Sequence, residues 1–216
     1  TIELCDDLFP WAMVSRERAA IKFHIVLRNG TALPELTFIG DGRSHDLPVA
    51  KQMPIPPGSI LVMDRAYVDA DFFARLHDQD TIFVTRMKRG TKYRILNRRP
   101  VPATATGILS DREIAFTGRG SCIYDQRPLR RVSYRDPETG KHLVYLTNSL
   151  VLAARTIARL YKDRWQVESF FKWIKQNLRI LRFWGRSPNA VLTQLWVAIL
   201  AYALVSFINL KLRTTW

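Results

Sequence analysis

Two stretches hold side chains whose types and spacing could do chemistry. In Leu160–Ile180, LYKDRWQVESFFKWIKQNLRI, the residues Tyr161, Arg164, Glu168, Lys172 and Lys175 recur at three- and four-residue steps. On a helix that spacing forms one stripe, a lone carboxylate flanked by three cations and a phenol. Such a set can handle charge around a bound ion. It is equally what a solvated helix face looks like, laced with i,i+4 pairs worth roughly 0.2–0.5 kcal/mol each. The second stretch is Asp64-Arg65-Ala66-Tyr67, directly after the apolar run Ser59–Met63, SILVM. An Asp at the carboxyl end of a buried strand stands where open α/β sheets place their sites. The ordinary alternative is that Asp64 caps the helix that follows.

The elements that must position these residues follow from periodicity. Leu160–Ile180 contains no Pro or Gly and reads as one helix. Its apolar stripe, Leu160, Val167, Phe171, Ile174 and Leu178, lies roughly 80° from the polar one, which puts the polar stripe at the rim of the buried face. Ser59–Met63 and Thr81–Arg86 read as short buried strands, with a helix at Asp69–Gln79 between them. Upstream, Thr1–Leu4 reads as the tail of a strand. Arg18–Leu27 and Leu33–Ile39 form a hairpin around Asn29-Gly30. A short helix starts near His45-Asp46 and is broken by Pro54, Pro56 and Pro57.

From Met87 to Arg135 the chain turns basic, with β-type runs at Lys92–Leu96, Ile108–Thr117 and Leu129–Tyr134, continued by His142–Thr147. Arg86, Lys88, Arg89, Lys92, Arg94, Arg98 and Arg99 make its densest basic run, either a polyanion contact or a solvated sheet face. After Ser187-Pro188-Asn189 comes a last helix at Ala190–Leu212. Val191–Ile208 is nearly all apolar over 18 residues, the lower limit of a membrane span. Gln194, Asn209 and the soluble-type remainder favour a buried core helix packed on a sheet.

Composition narrows the partners. The 216 residues carry 33 Lys and Arg against 19 Asp and Glu, a formal charge of +14. That excess points to a polyanion, either nucleic acid or an anionic membrane surface. With 47% apolar residues the chain can build a core, which excludes the disordered class. Cys5 and Cys122 are the only cysteines, without metal-ligand spacing; they suit a reducing cytosol, although one disulfide stays open. The four histidines are scattered, which speaks against zinc. The chain begins at Thr1 without an initiator Met and stops at Trp216 after a helical pattern, and reads as a fragment.

The order Tyr161-x2-Arg164-x3-Glu168-x6-Lys175, within RWQVESFFKWIKQNLRI, resembles the Tyr-Arg-Glu-Lys signature of the insertion-sequence-four family of bacterial DDE-type transposases. Asp64-Arg65-Ala66-Tyr67 is similar to that family's Asp-Arg-Gly-Tyr, with Ala66 in place of Gly. The resemblance covers essentially the whole chain. It implies an α/β, RNase H-like fold over 1–216: a mixed sheet flanked by helices, with a β-rich insertion at 87–150 before the signature helix.

It also implies a chemistry. Cutting and rejoining DNA requires an activated oxygen and charge relief at the leaving oxygen, which two divalent ions about 3.5–4 Å apart supply. Asp64 and Glu168 are then catalytic carboxylates and ligands of Mg²⁺ or Mn²⁺. Tyr161, Arg164, Lys172 and Lys175, with Arg86 and Lys88, would contact DNA phosphates. Trp165 and Trp173 could stack on a base or simply belong to the core. The first Asp of the triad would lie a few residues upstream of Thr1, since Thr1-Ile2-Glu3-Leu4-Cys5 matches the end of that family's first strand; Asp6 and Asp7 are poor substitutes.

The implied partners are double-stranded DNA, at transposon ends and target, and a second copy in a synaptic homodimer. The implied compartment is the bacterial cytoplasm and nucleoid, without a membrane. Two other readings compete: a catalytically inactive DNA-binding remnant, and a basic membrane-associated protein anchored by Val191–Ile208.

Overall fold

The computed structural model describes residues 2–4, 8–15, 18–43, 45–118, 124, 127–177 and 183–213. Cys5, Asp6, Asp7 and Cys122 lie outside the described residues, as do Leu178 and Ile180 at the end of the signature stretch. The chain divides into two units: Thr1–Met53 with Trp165–Trp216, and Pro54–Arg164.

The first unit carries a four-stranded antiparallel sheet built on β3 (Arg18–Leu27). β3 pairs with β1 (Ile2–Leu4), β2 (Met13–Ser15) and β4 (Pro34–Asp41). The β3–β4 hairpin closes with Arg28 N–H on the Leu33 carbonyl at 2.8 Å, and Gly30 supplies the positive φ of 82°. α1 (Asp46–Gln52) follows and ends at Met53, just before Pro54. Alternation along β3 turns Ala19, Ile21 and Phe23 to one side. They share a core with Phe170 and Ile174 of α4 (Trp165–Asn177) and with Val191, Leu195 and Tyr202 of α5 (Pro188–Arg213). Phe23 stacks on Phe170 at 6.1 Å between centroids. Each of the large aliphatic and Phe side chains buried here contributes about 1.5–3 kcal/mol.

The expectation of a buried core helix at the C-terminal end holds for one stripe only. Val191, Leu195, Ala198, Ile199 and Tyr202 are buried, whereas Val197, Leu200, Leu204 and Leu212 are more than half exposed. By length and composition α5 could cross a membrane. One of its faces is nonetheless committed to the β3 core.

The second unit is a six-stranded sheet in the order β5-β6-β10-β9-β8-β7. Its strands are β5 (Ile60–Val62), β6 (Ile82–Arg86), β7 (Tyr93–Arg99), β8 (Ile108–Phe116), β9 (Leu129–Arg135) and β10 (His142–Thr147). β5 and β6 are parallel and every other pair is antiparallel, so the sheet is mixed. The strands of the basic 87–150 stretch extend the β5–β6 sheet instead of forming one of their own.

Helices cover both faces of this sheet. α2 (Ala70–Asp78) presents Phe72, Phe73 and Leu76, and Phe73 stacks on Phe83 at 4.1 Å. The neighbouring residue, Val84, faces the other way and packs with Val132, Tyr145 and Ile157, Ala158 and Tyr161 of α3 (Ala154–Asp163).

The signature stretch is not one helix. It starts a turn and a half earlier than its apolar stripe predicts, at Ala154, and breaks at Arg164, whose N–H bonds the Tyr161 carbonyl at 3.2 Å. That i→i−3 bond tightens the last turn of α3 and ends it, and α4 begins at Trp165. Tyr161 and Arg164 therefore belong to one unit, and Glu168, Lys172 and Lys175 to the other.

Candidate active site

Asp64 sits one residue beyond the buried Met63, where the chain leaves β5. The Met63 N–H continues the parallel ladder onto the Val84 carbonyl at 3.0 Å. Asp64 then opens a single 3₁₀ turn, Arg65–Tyr67, and its Oδ1 accepts from the Ala66 N–H at 3.0 Å. The capping alternative is thus realised on this turn and not on α2, whose N-cap is Asp69, accepting from the Phe72 N–H at 2.9 Å. Lys88 donates to the Val68 carbonyl at 2.8 Å and holds the segment between the two caps.

The other carboxylate oxygen of Asp64 meets Arg164, with Nη1 3.9 Å from Oδ2. The Asp64 side chain is 52% exposed, so this contact is loose and solvent-screened. Arg164 also lies over the Tyr161 ring, 5.6 Å from its centroid. Tyr161 in turn packs on Tyr145 at 5.2 Å, and Tyr145 faces Arg86 across the β6–β10 ladder. Asp64, Arg86 and the Tyr161–Arg164 pair, far apart in sequence, therefore form one corner.

Burial of the Tyr161 ring pushes its hydroxyl above the usual tyrosine range, and the Asp64 charge adds to this against the cations Arg164 and Arg86. The hydroxyl is a donor at neutral pH. Its ring is 8% exposed, so it braces Arg164 more than it presents a surface.

The other half of the signature lies on α4. Glu168, Phe171, Lys172, Lys175 and Gln176 line an open recess of about 510 Å³. The expected row of carboxylate and cations does share one side of this helix. Trp173 packs edge-on to Tyr202 at 5.2 Å and belongs to the core, whereas Trp165 is 63% exposed.

Sequence reasoning did not find the buried pair behind this corner. Arg130 grips Asp111 with two hydrogen bonds, Nε to Oδ1 at 2.8 Å and Nη2 to Oδ2 at 2.6 Å. Its third arm donates to the Leu152 carbonyl, just before α3. This pair ties the sheet to the start of the helix that carries Tyr161 and Arg164. Its signal, opposite charges 19 positions apart, acquires meaning only once the β8–β9 register is known.

Residues 9–204 match the family model for the transposase DDE domain. The chain belongs to that family. A protein of Geobacillus stearothermophilus described as a probable transposase for insertion sequence element IS5377 is 34% identical over 96% of this chain. One of Sinorhizobium fredii described as transposase y4zB is 31% identical over 90%. The alignments take in 54% and 55% of those proteins, so the chain spans about half the length of the curated relatives it matches. The α/β architecture, with a mixed sheet flanked by helices, is the RNase H-like class that the signature implied.

Among the described residues, no cluster of three or more His, Cys, Asp or Glu is close enough to hold a metal ion. What the chain offers is oxygen chemistry. Asp64 presents a half-exposed carboxylate at a strand end, with one oxygen fixed by a backbone N–H and the other only loosely met by a cation. That donor suits a hard divalent ion.

Proposed function

We propose that this chain is the catalytic core of a DNA transposase that cuts and transfers DNA strands in a divalent-metal-dependent reaction. The observation that carries this reading is the corner at the end of β5. Asp64 stands there with Arg86, Tyr161 and Arg164 gathered around it, in a chain whose family match runs over 9–204.

Asp64 and Glu168 are the carboxylates that would serve Mg²⁺ or Mn²⁺, the hard cations that take oxygen ligands. When bound, such ions activate an attacking oxygen and relieve charge on the leaving one. The protein's own residues do the rest. Arg164 and Arg86 neutralise phosphate oxygens, Tyr161 holds the Arg164 plane, and Lys172 and Lys175 add backbone contacts along α4. Lys88 fixes the segment that follows Asp64. The substrates are the ends of a mobile element and a target duplex, engaged by a pair of protomers. The reaction belongs to the bacterial cytoplasm, at the nucleoid. The chain spans about half the length of its curated relatives, so cleavage is tested on the protein from its full reading frame.

The test is strand cleavage of an end-containing duplex by the protein from its full reading frame, with Mg²⁺ or Mn²⁺. The reading expects cutting in the wild type and none in Asp64→Asn or Glu168→Gln. Undiminished cutting by either variant would overturn it.

A further inference from the structure

The strand register of the second unit lines up three arginines. Arg98 on β7 stands opposite Arg112 on β8, and Arg112 stands opposite Arg131 on β9. Directly paired residues of neighbouring strands share a face of the sheet. With strands about 4.8 Å apart, the row crosses three strands in roughly 10 Å. Like charges directly opposite one another destabilise a sheet, so the row works against the fold that carries it.

Among the described residues no carboxylate forms an ion pair with any of the three. The carboxylates of the same strand, Asp111 and Glu113, are engaged by Arg99 and Arg130. Arg131 lies over the Tyr93 ring at 5.6 Å, and its Nε is buried without a hydrogen-bond partner. The row contrasts with Arg130, one residue away on the opposite face, whose charge is fully met.

We infer that the Arg98–Arg112–Arg131 ladder is a binding site for the phosphate backbone of duplex DNA, on the sheet face opposite the Arg130–Asp111 pair. The inference rests on the DNA-acting reading above and adds a surface to it. Three guanidiniums carried side by side on adjacent strands of one sheet match a run of phosphates, and their repulsion is relieved when the anion binds. Neither Arg112 nor Arg131 belongs to the basic run at Arg86–Arg99, so the site emerges only from the pairing of the strands.

Stability and binding should move in opposite directions. In the 216-residue chain, Arg98→Gln/Arg112→Gln/Arg131→Gln removes three phosphate contacts and three mutually repelling charges. Fluorescence anisotropy with a mixed-sequence 20-base-pair duplex across a salt series reads the first effect, and Tm the second. We expect the slope of log affinity against log salt to lose roughly 2.7, about 0.9 per contact, with Tm unchanged or raised. Arg98→Gln alone, on the exposed edge strand, should lose about 0.9 of slope and keeps the test valid if the triple variant fails to fold. A wild-type chain that binds duplex while both variants keep its slope would overturn the ladder and leave the DNA reading standing. A wild-type chain that fails to bind duplex would overturn both. A slope change seen only with phosphatidylserine vesicles would assign the ladder to a membrane surface and overturn the inference.

Discussion

The Asp64 carboxylate makes two contacts that different substitutions separate. Oδ1 accepts from the Ala66 N–H at 3.0 Å, and Oδ2 lies 3.9 Å from Arg164. Asn at this position keeps the cap, because its carbonyl oxygen can accept the same bond. It loses only the attraction to Arg164. For a side chain 52% exposed, at a distance beyond a tight pair, that attraction is worth at most about 1 kcal/mol. Asp64→Asn should therefore lower Tm by no more than roughly 2–4 °C, the shift expected per kcal/mol for a chain of this size. Asp64→Ala loses the cap as well, a further ~1 kcal/mol.

Metal binding ranks the two variants differently. Outer-shell partners of a metal ligand are each worth about 10–100-fold in affinity or activity, so loss of a direct carboxylate ligand should exceed about 100-fold. Calorimetric titration with Mn²⁺ and strand cleavage, both with the full-reading-frame protein, should show Asn and Ala equally deficient. Thermal melts of the same samples should separate them. If Asp64 were only a cap, Asn would be silent in every assay and Ala would lose about 1 kcal/mol alone. That pattern would refute the ligand assignment.

Three further outcomes follow from the geometry. Glu168→Gln keeps shape and helix propensity, so Tm without metal should move by less than about 1 kcal/mol equivalent while metal-dependent cutting disappears; unfolding would show that Glu168 serves the fold. Asp111→Asn leaves the buried Arg130 without its counter-charge, which should cost roughly 3–5 kcal/mol, or about 6–20 °C in Tm, and an Asp111→Leu/Arg130→Met double variant should recover part of it. A single-variant loss below about 1 kcal/mol would contradict the pairing. Burial raises the hydroxyls of Tyr124, Tyr145 and Tyr161 above their ordinary range. A raised folded value means stability is intact below the unfolded value near 10 and is lost as pH climbs through the folded ones. Absorbance at tyrosinate wavelengths should therefore rise together with alkaline unfolding, and ionisation of all three in a still-folded chain would disprove their burial.

Much of the second unit is legible because its central strands are buried on both faces. The run His142–Thr147 coincides with β10 and Thr81–Arg86 matches β6 within a residue, since short apolar runs between turn signals leave little choice. The sequence pattern ends β7 too early. Beyond Leu96 it continues as Asn97-Arg98-Arg99, polar residues on an edge strand with a neighbour on one side only, so no apolar alternation marks it. The start of α3 was missed for a related reason. Ala153 makes no side-chain cap, and ARTIAR opens with neither an acidic residue nor an N-cap signal. The break at Arg164 was invisible to periodicity, because Arg164 keeps helical dihedrals while its hydrogen bond shifts by one residue. The order of strands lay beyond local pattern altogether. β10 inserts between β6 and β9, while the Arg130–Asp111 pair and the arginine ladder depend on the residue-by-residue register of β7, β8 and β9, which periodicity does not give.

The capping and catalytic readings of Asp64 pose competing explanations in the sequence, and under the proposed function the cap and the metal ligand are compatible. A metal ligand must have its rotamer fixed before the ion arrives, or ordering it detracts from binding. The Ala66 N–H does this through Oδ1 and leaves Oδ2 on the other side of the carboxylate. The residue at position 66 bears on how firmly that donor is held. The related motif carries Gly there, yet this backbone has no need of it. Ala66 lies inside the 3₁₀ turn, and among the described residues the non-glycine positions with positive φ are Ala32 and Asp80. Where the native conformation suits Ala, replacing Gly narrows the unfolded ensemble and stabilises by about 0.4–1 kcal/mol. Ala66 thus stiffens the turn whose N–H aims Asp64. Ala66→Gly should loosen that turn and weaken Mn²⁺ binding while removing neither oxygen of the carboxylate.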